Sequence, residues 1–223
     1  QERDPEVLAG VVSAGVSVHR LCQIHSAVVV EASRATTPWP EADGLVSDGE
    51  AQSLWVCGAD CTPVMLADPA SGRVAACHAG WRGVAGRILA EAVARLAAEG
   101  SDPARLRAAL GPAIAAEHYQ VEREVSEAVA ASIHPSGSSS QSDDPEGLLQ
   151  PLREGYALLP DPQEGRDRLD IRRAARLQLV ACGVPELHIS LCPLCTASEP
   201  SLFHSWRRDH VKAVQWSGIV SQA

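Results

Sequence analysis

The sequence predicts an α/β domain of layered mixed sheet, and three observations carry that prediction. Short β-branched and apolar runs stand at 28–30, 54–57, 64–66 and 73–78, and the last three stop at glycine or aspartate punctuation, as buried strands do. Helix-period stretches alternate with them: Val84, Ile88, Ala92 and Leu96 fall four apart on one stripe. The chain has 223 residues, 45% of them hydrophobic and only 4% aromatic, so one domain can close around a core of Val, Leu, Ile and Ala.

The elements follow in order. Pro5 opens a short helix within a stretch (1–19) that mixes charge with small apolar residues. Gln23-Ile24-His25 precedes the strand at 28–30, and a loop over 33–43 contains Pro38-Trp39-Pro40. A turn at 47–49 leads to the strand at 54–57, which ends in Gly58 just before Asp60-Cys61. Pro63 separates this strand from the next short run, 64–66, and a turn at 68–72 leads to the strand at 73–78, with His78 at its end. Turns at this spacing predict hairpin links. Gly80-Trp81-Arg82-Gly83 runs into a helix reaching residue 98, with Gly100 as its C-terminal cap. A short strand at 108–110 precedes a helix over 120–132, with Val121, Val125, Ala128 and Val129 on one side. Residues 134–151, rich in Ser, Gly, Pro and Asp, read as a loop. Asp170 caps a helix over 171–181, and strands at 187–190 and 214–216 complete the pattern. The sequence contains no internal repeat.

A net charge of -9 argues against a general nucleic-acid binder, because backbone contacts need a basic surface. A small anion held by a local arginine is still compatible with it. Seven cysteines cannot all pair within one chain. With no signal-peptide pattern and no apolar run long enough to span a bilayer, a reducing, cytoplasmic setting is expected, without membrane contact. The first residue is Gln1 rather than methionine, from which a missing or removed upstream piece is expected.

His25, Cys61 and His78 each lie at the end of an apolar segment, where a sheet edge would deliver them to a crevice. Two imidazoles and a thiolate are zinc ligands, and a catalytic zinc site keeps one position open. The spacings of 36 and 17 residues are not a local zinc signature, and a loop histidine or an inert buried cysteine is the plainer reading of each alone. The same residues also allow a Cys61 nucleophile with His78 as its base, oriented by Asp60 or Asp43. Cys192-Pro193-Leu194-Cys195 is a lone pair of cysteines with no second pair at knuckle spacing, so packing is its simplest reading. Residues 80–83 lack the Gly-Lys-Ser/Thr of a P-loop, but Arg82 remains able to meet an anion, as does Arg207-Arg208.

The segments ADCTPVMLADP and VAACHAGWRGVAG, with RLCQIH, EADGLVS, GPAIAAEHYQVEREV and CPLCTASEPSLFHSWRRD, closely resemble the signature blocks of the YfiH/laccase-domain family. That family is also known as multicopper polyphenol oxidase, purine nucleoside phosphorylase and peptidoglycan editing factor. The resemblance spans nearly the whole chain. It implies the layered YfiH-like fold, related to a group of cysteine hydrolases, as a single domain over 1–223. It also implies zinc, with copper as an alternative, on His25, Cys61 and His78. The activities implied are phosphorolysis of adenosine, inosine, guanosine and methylthioadenosine, and deamination of adenosine. Arg82 is then the candidate for phosphate and Asp60 for proton transfer. Purine nucleoside and phosphate are the expected partners of a monomer or homodimer. Alternatives are a copper phenol oxidase, a Cys61 hydrolase or amidase acting on cell-wall precursors, and a non-catalytic nucleoside- or metal-binding protein. Eight histidines are too few to fill a multicopper cluster comfortably. The family's N-terminal Thr-Arg-x-Gly-Gly-Val-Ser-like segment has no counterpart in this sequence. Ser26 stands where the family has glycine, and Gln120 and Glu122 depart from its Tyr-Glu-Val-Gly pattern. These changes spare the three ligands and bear on pocket shape.

Overall fold

The computed structural model describes residues 4–133 and 145–222. Its strands are β1 (Ser17–His19), β2 (Val29–Glu31), β3 (Gly44–Val46), β4 (Gln52–Gly58), β5 (Thr62–Ala67), β6 (Val74–Ala79), β7 (Arg107–Leu110), β8 (Gln120–Glu122), β9 (Leu158–Pro160), β10 (Arg166–Leu169), β11 (Ile189–Leu191) and β12 (Gln215–Val220). Its helices are α1 (Pro5–Val12), α2 (Trp81–Ala85), α3 (Ile88–Ala98), α4 (Arg123–Ala131), α5 (Pro145–Glu154), α6 (Ile171–Ala181) and α7 (Trp206–Asp209).

A mixed six-stranded sheet runs β11-β7-β5-β6-β3-β2, with parallel pairs at both edges and antiparallel pairs between. A three-stranded sheet, β1-β4-β12, lies over one of its faces. A small antiparallel sheet, β8-β10-β9, stands apart. The layering follows from the two-residue period of strands. On β6, Ala75, Cys77 and Ala79 join the core made with Ile88, Leu89, Ala92 and Leu96 of α3 and Leu179 of α6. Val74 and Ala76 point the other way and meet Leu54 and Val56 of β4 and Leu45 of β3. On β5, Val64 and Leu66 face the helices while Met65 and Ala67 face the small sheet. Three layers result: small sheet, large sheet, helices. His78 shares the phase of Val74 and Ala76, so it emerges between the two sheets.

The crossing between the sheets is made by Ala59-Asp60-Cys61, which joins β4 of the small sheet to β5 of the large one. Asp60 sits at φ 98, in the left-handed region that costs a residue with a side chain free energy. The surroundings hold it there: its carbonyl accepts from Ile114 N–H at 2.9 Å, and its carboxylate is bound on both oxygens.

Several elements differ from the sequence reading. The helix read as continuous to residue 98 is two helices, broken at Gly86 and at Arg87, whose φ is 66. A Cβ on Gly86 would stand 2.8 Å from Ala27 Cβ, so the break lets the chain pack against the segment before β2. The helix read from 120 begins at Arg123, because 120–122 pair with β10 as β8. Of the 134–151 loop, residues 145–151 are the start of α5, whose Leu149 and Leu152 enter the core; 134–144 lie outside the described residues. The strand read at 214–216 extends to Val220. The link from β4 to β5 is a sheet-to-sheet crossing rather than a hairpin, whereas β5 and β6 do form one.

Candidate metal centre

His25, Cys61 and His78 come together between the two sheets. One ligand atom from each lies within 4.8 Å of the other two, and the imidazoles of His25 and His78 meet edge to face with centroids 4.9 Å apart. Among the described residues this is the one cluster of its kind.

Asp43 organises it. Its carboxylate, fully buried, accepts from the backbone N–H groups of Ile24 (3.2 Å), His25 (3.0 Å) and Ser26 (2.6 Å) and from the Ser26 hydroxyl (2.8 Å). These bonds hold His25 at φ 62, a left-handed conformation that turns its side chain toward the other two ligands. The same carboxylate lies 2.9 Å from His78 Nδ1. An ionised carboxylate only accepts, so Nδ1 carries a proton and Nε2 is the nitrogen left for the cleft. Gln23 fastens the segment to β4 by exchanging two hydrogen bonds with the Cys57 backbone, at 2.7 and 2.8 Å. Gly80 makes room for the thiol: a Cβ there would stand 2.6 Å from Cys61 Sγ.

The electrostatics separate Cys61 from the half-buried Cys57 and the buried Cys77. Burial opposes its ionisation, but the hydrogen bonds and charges of His25 and His78 outweigh that and bring the thiol down to about 7. Burial likewise works against a charged His78, and Asp43 and Cys61 overcome it, raising the imidazole to about 9. Burial of Asp43 is outweighed by the His78 and Ser26 donors, which hold its carboxyl below the usual range. Burial alone dominates at Cys57 and Cys77, pushed up to about 11 and about 12, as for small apolar core residues.

The cluster opens into a cleft of about 550 Å³, within the range of roughly 300–1,000 Å³ usual for small-molecule sites. Trp81, Tyr119 and Trp206 supply aromatic surface, and Arg82, Arg207 and Lys212 supply positive charge. Arg82 lies over the Trp81 ring at 4.4 Å and Arg207 over the Tyr119 ring at 5.0 Å. Burial and the nearby Cys61 push the Tyr119 phenol up, against the two arginines. Asp60 lines the cleft too, yet its carboxylate accepts from the Thr196 hydroxyl at 2.6 Å and from Arg207 N–H at 2.8 Å. It ties the C-terminal segment to the crossing.

The remaining sequence candidates take structural places. Cys195 is buried and its sulfur accepts from Ala115 N–H at 3.3 Å. Arg208 pairs with Asp209 and donates to the carbonyls of Thr196, Ala197 and Phe203. Sequence reasoning passed over Tyr119, Trp206 and Lys212 as cleft residues. Lys212 had one signal, being the sole lysine of the chain.

A family model described as multi-copper polyphenol oxidoreductase laccase matches residues 5–221. A purine nucleoside phosphorylase of Synechocystis is 40% identical over 97% of this chain and 84% of its own length. Purine nucleoside phosphorylase YlmD of Geobacillus stearothermophilus is 34% identical over 84% of this chain, which spans 65% of that relative. Adenosine deaminase RL5, from an unknown prokaryotic organism, is 33% identical over 74% of this chain and 56% of its own length. Among solved structures, the protein YfiH of Bacillus licheniformis superposes with a TM-score of 0.78 at 31% identity, over 96% of this chain and 78% of that one. No helix among the described residues is long and apolar enough to cross a membrane.

Proposed function

Since the chain belongs to the multi-copper polyphenol oxidoreductase laccase family, in its YfiH-type purine nucleoside phosphorylase branch, we propose that it is a zinc-dependent purine nucleoside enzyme. It would phosphorolyse adenosine, inosine, guanosine and methylthioadenosine and deaminate adenosine. The observation that carries this reading is the convergence of His25, Cys61 and His78 at the floor of an aromatic-walled cleft.

The residues fit a metal. A thiolate and two imidazoles suit zinc, Asp43 fixes the His78 ring as such ligands require, and the missing Cβ of Gly80 leaves the sulfur its space. Three protein ligands leave a fourth position for water or substrate. When bound, zinc supplies a Lewis acid and a water ionisable near neutral pH. One such cluster among the described residues supports a single-ion centre over several copper positions. The rest falls to the chain itself. Trp206, half-exposed in the cleft, offers aromatic surface to a purine, Arg82 presents N–H donors to phosphate, and Asp60 holds the wall carrying Arg207 in place.

A second reading rests on one observation: Cys61, His78 and Asp43 also form a nucleophile, base and orienting acid, with the thiol lowered to about 7. Metal content measured with nucleoside turnover separates the two. Stoichiometric zinc with phosphate-dependent release of hypoxanthine from inosine, or with phosphate-independent release of ammonia and inosine from adenosine, supports the first reading. Stoichiometric zinc without turnover of any of these nucleosides overturns it. A thioester trapped at Cys61 in protein lacking metal supports the second.

A further inference from the structure

We infer that Arg82, Arg207 and Lys212 form a phosphate subsite in the same cleft as the His25–Cys61–His78 cluster, and that Lys212 tunes phosphorolysis against deamination. The inference rests on the purine nucleoside reading and names how its second substrate is held.

Charge pairing sets these three cations apart. In a chain of net charge -9, carboxylates are plentiful, and most arginines of the described residues use them. Arg20 pairs with Asp4, Arg95 with Glu31 and Glu91, Arg168 with Asp161, and Arg208 with Asp209. Arg82, Arg207 and Lys212 have no carboxylate partner among the described residues, yet all three line one cleft. Arg107 shares that condition but lies on β7, away from the cleft. Three unpaired cations facing a common space raise the local concentration of an anion and hold it.

Both arginines are held by aromatic rings: Arg82 Cζ lies 4.4 Å from the Trp81 centroid and Arg207 Cζ 5.0 Å from that of Tyr119. A guanidinium held by cation–π contact remains able to donate N–H groups to phosphate oxygens. Arg207 spends one N–H on the Gln120 carbonyl at 3.2 Å, which further fixes its direction. Asp60, the one carboxylate among the described residues lining the cleft, is only 8% exposed, and Thr196 and the Arg207 amide occupy its oxygens. Lys212 differs: it is exposed, on the segment between α7 and β12, and acts as a point charge on a flexible stem.

The two reactions need this charge unequally. In phosphorolysis, an oxygen of hydrogen phosphate bonds to C1′ of the ribose while the C1′–N9 bond breaks. The bond pair leaves on the purine, which gains the proton that hydrogen phosphate carried, and ribose 1-phosphate keeps both negative charges. In deamination, water adds at C6 and ammonia leaves, with no anion to hold.

The test compares the zinc-loaded full chain with its Lys212→Met and Lys212→Arg variants. In Lys212→Met the KM for phosphate should rise about tenfold, with the KM for inosine little changed, as expected for loss of one charged contact. The ratio of phosphorolysis to deamination should fall by a similar factor, and Lys212→Arg should restore most of it. An unchanged phosphate KM or an unchanged ratio overturns the proposal. If the wild-type chain turns over no nucleoside, it is the purine reading that fails, and titration of the same proteins with inorganic phosphate, followed by tryptophan fluorescence, decides the subsite. Saturable binding weakened in Lys212→Met supports it, and no binding by the wild-type chain overturns it.

Discussion

Removing the fully buried Asp43 carboxylate would strand the amides of Ile24, His25 and Ser26 and the Nδ1–H of the buried His78 together. Outer partners of metal-bound histidines typically contribute about 10–100-fold in affinity. Asp43→Ala should therefore weaken zinc by at least that range, read by competition with a chelator of known affinity; an unchanged affinity would remove Asp43 from the centre. Gly80→Ala tests the sulfur's space in isolation. Gly80 has φ -79 and ψ 175, open to any residue, so the strain falls on the contact 2.6 Å from Cys61 Sγ. Zinc affinity should drop about tenfold or more while the metal-free protein unfolds within a few degrees of wild type, since one displaced thiol costs the core little. Retained affinity would mean that the sulfur does not need its present position. The sequence showed three reactive residues at the ends of apolar runs and left Asp43 and Asp60 as equal candidates to orient the histidine. Only pairing between distant strands decides: β3 runs antiparallel to β6 with Gly44 opposite Cys77, which sets Asp43 beside His78. Asp60, adjacent to Cys61 in sequence, turns instead to Thr196 and Arg207.

At the scale of elements, legibility follows the strength of the local pattern. α6 was read at its actual bounds because its cap is local: the Asp170 side chain accepts from Arg173 N–H. Asp170→Ala should cost about 1 kcal/mol of stability by loss of this cap, with zinc affinity and turnover retained, because α6 lies in the helical layer behind the large sheet. Equal stability in urea unfolding would show that the cap contributes nothing. The core strands β4, β5 and β6 were legible as apolar runs. Strands β1, β3, β9 and β10 were not, and β10 alternates Arg166 and Arg168 with Asp167 and Leu169, so that a carboxylate takes a buried position. The break between α2 and α3 escaped because it answers to Ala27, 59 residues before Gly86 in sequence, and not to the helix's own periodicity.

Across the whole molecule, the three candidate ligands belong to separate parts of the chain. His25 sits on the segment that Gln23 ties to β4 of the small sheet, Cys61 ends the crossing between the sheets, and His78 lies on β6 of the large sheet. An ion held by all three joins the two sheets where they diverge. A ligand that binds only the folded state stabilises it by about 2.7 kcal/mol when free at 100 times its Kd, and less where the unfolded cysteine and histidines retain some affinity. For a chain of this size each kcal/mol moves Tm by about 2–4 °C, so zinc should raise Tm by roughly 5–10 °C over chelator-treated protein. The dependence should vanish in His78→Ala, which keeps Cys61 and His25 but removes the ligand from the large sheet. Cys77→Ala supplies a comparison: the thiol is on the same strand and faces the helices, so this variant should lose stability by cavity formation yet keep its response to zinc. Calorimetry that finds the same Tm with zinc and with chelator would show that no ion bridges the sheets, and a zinc response persisting in His78→Ala would place the ion elsewhere.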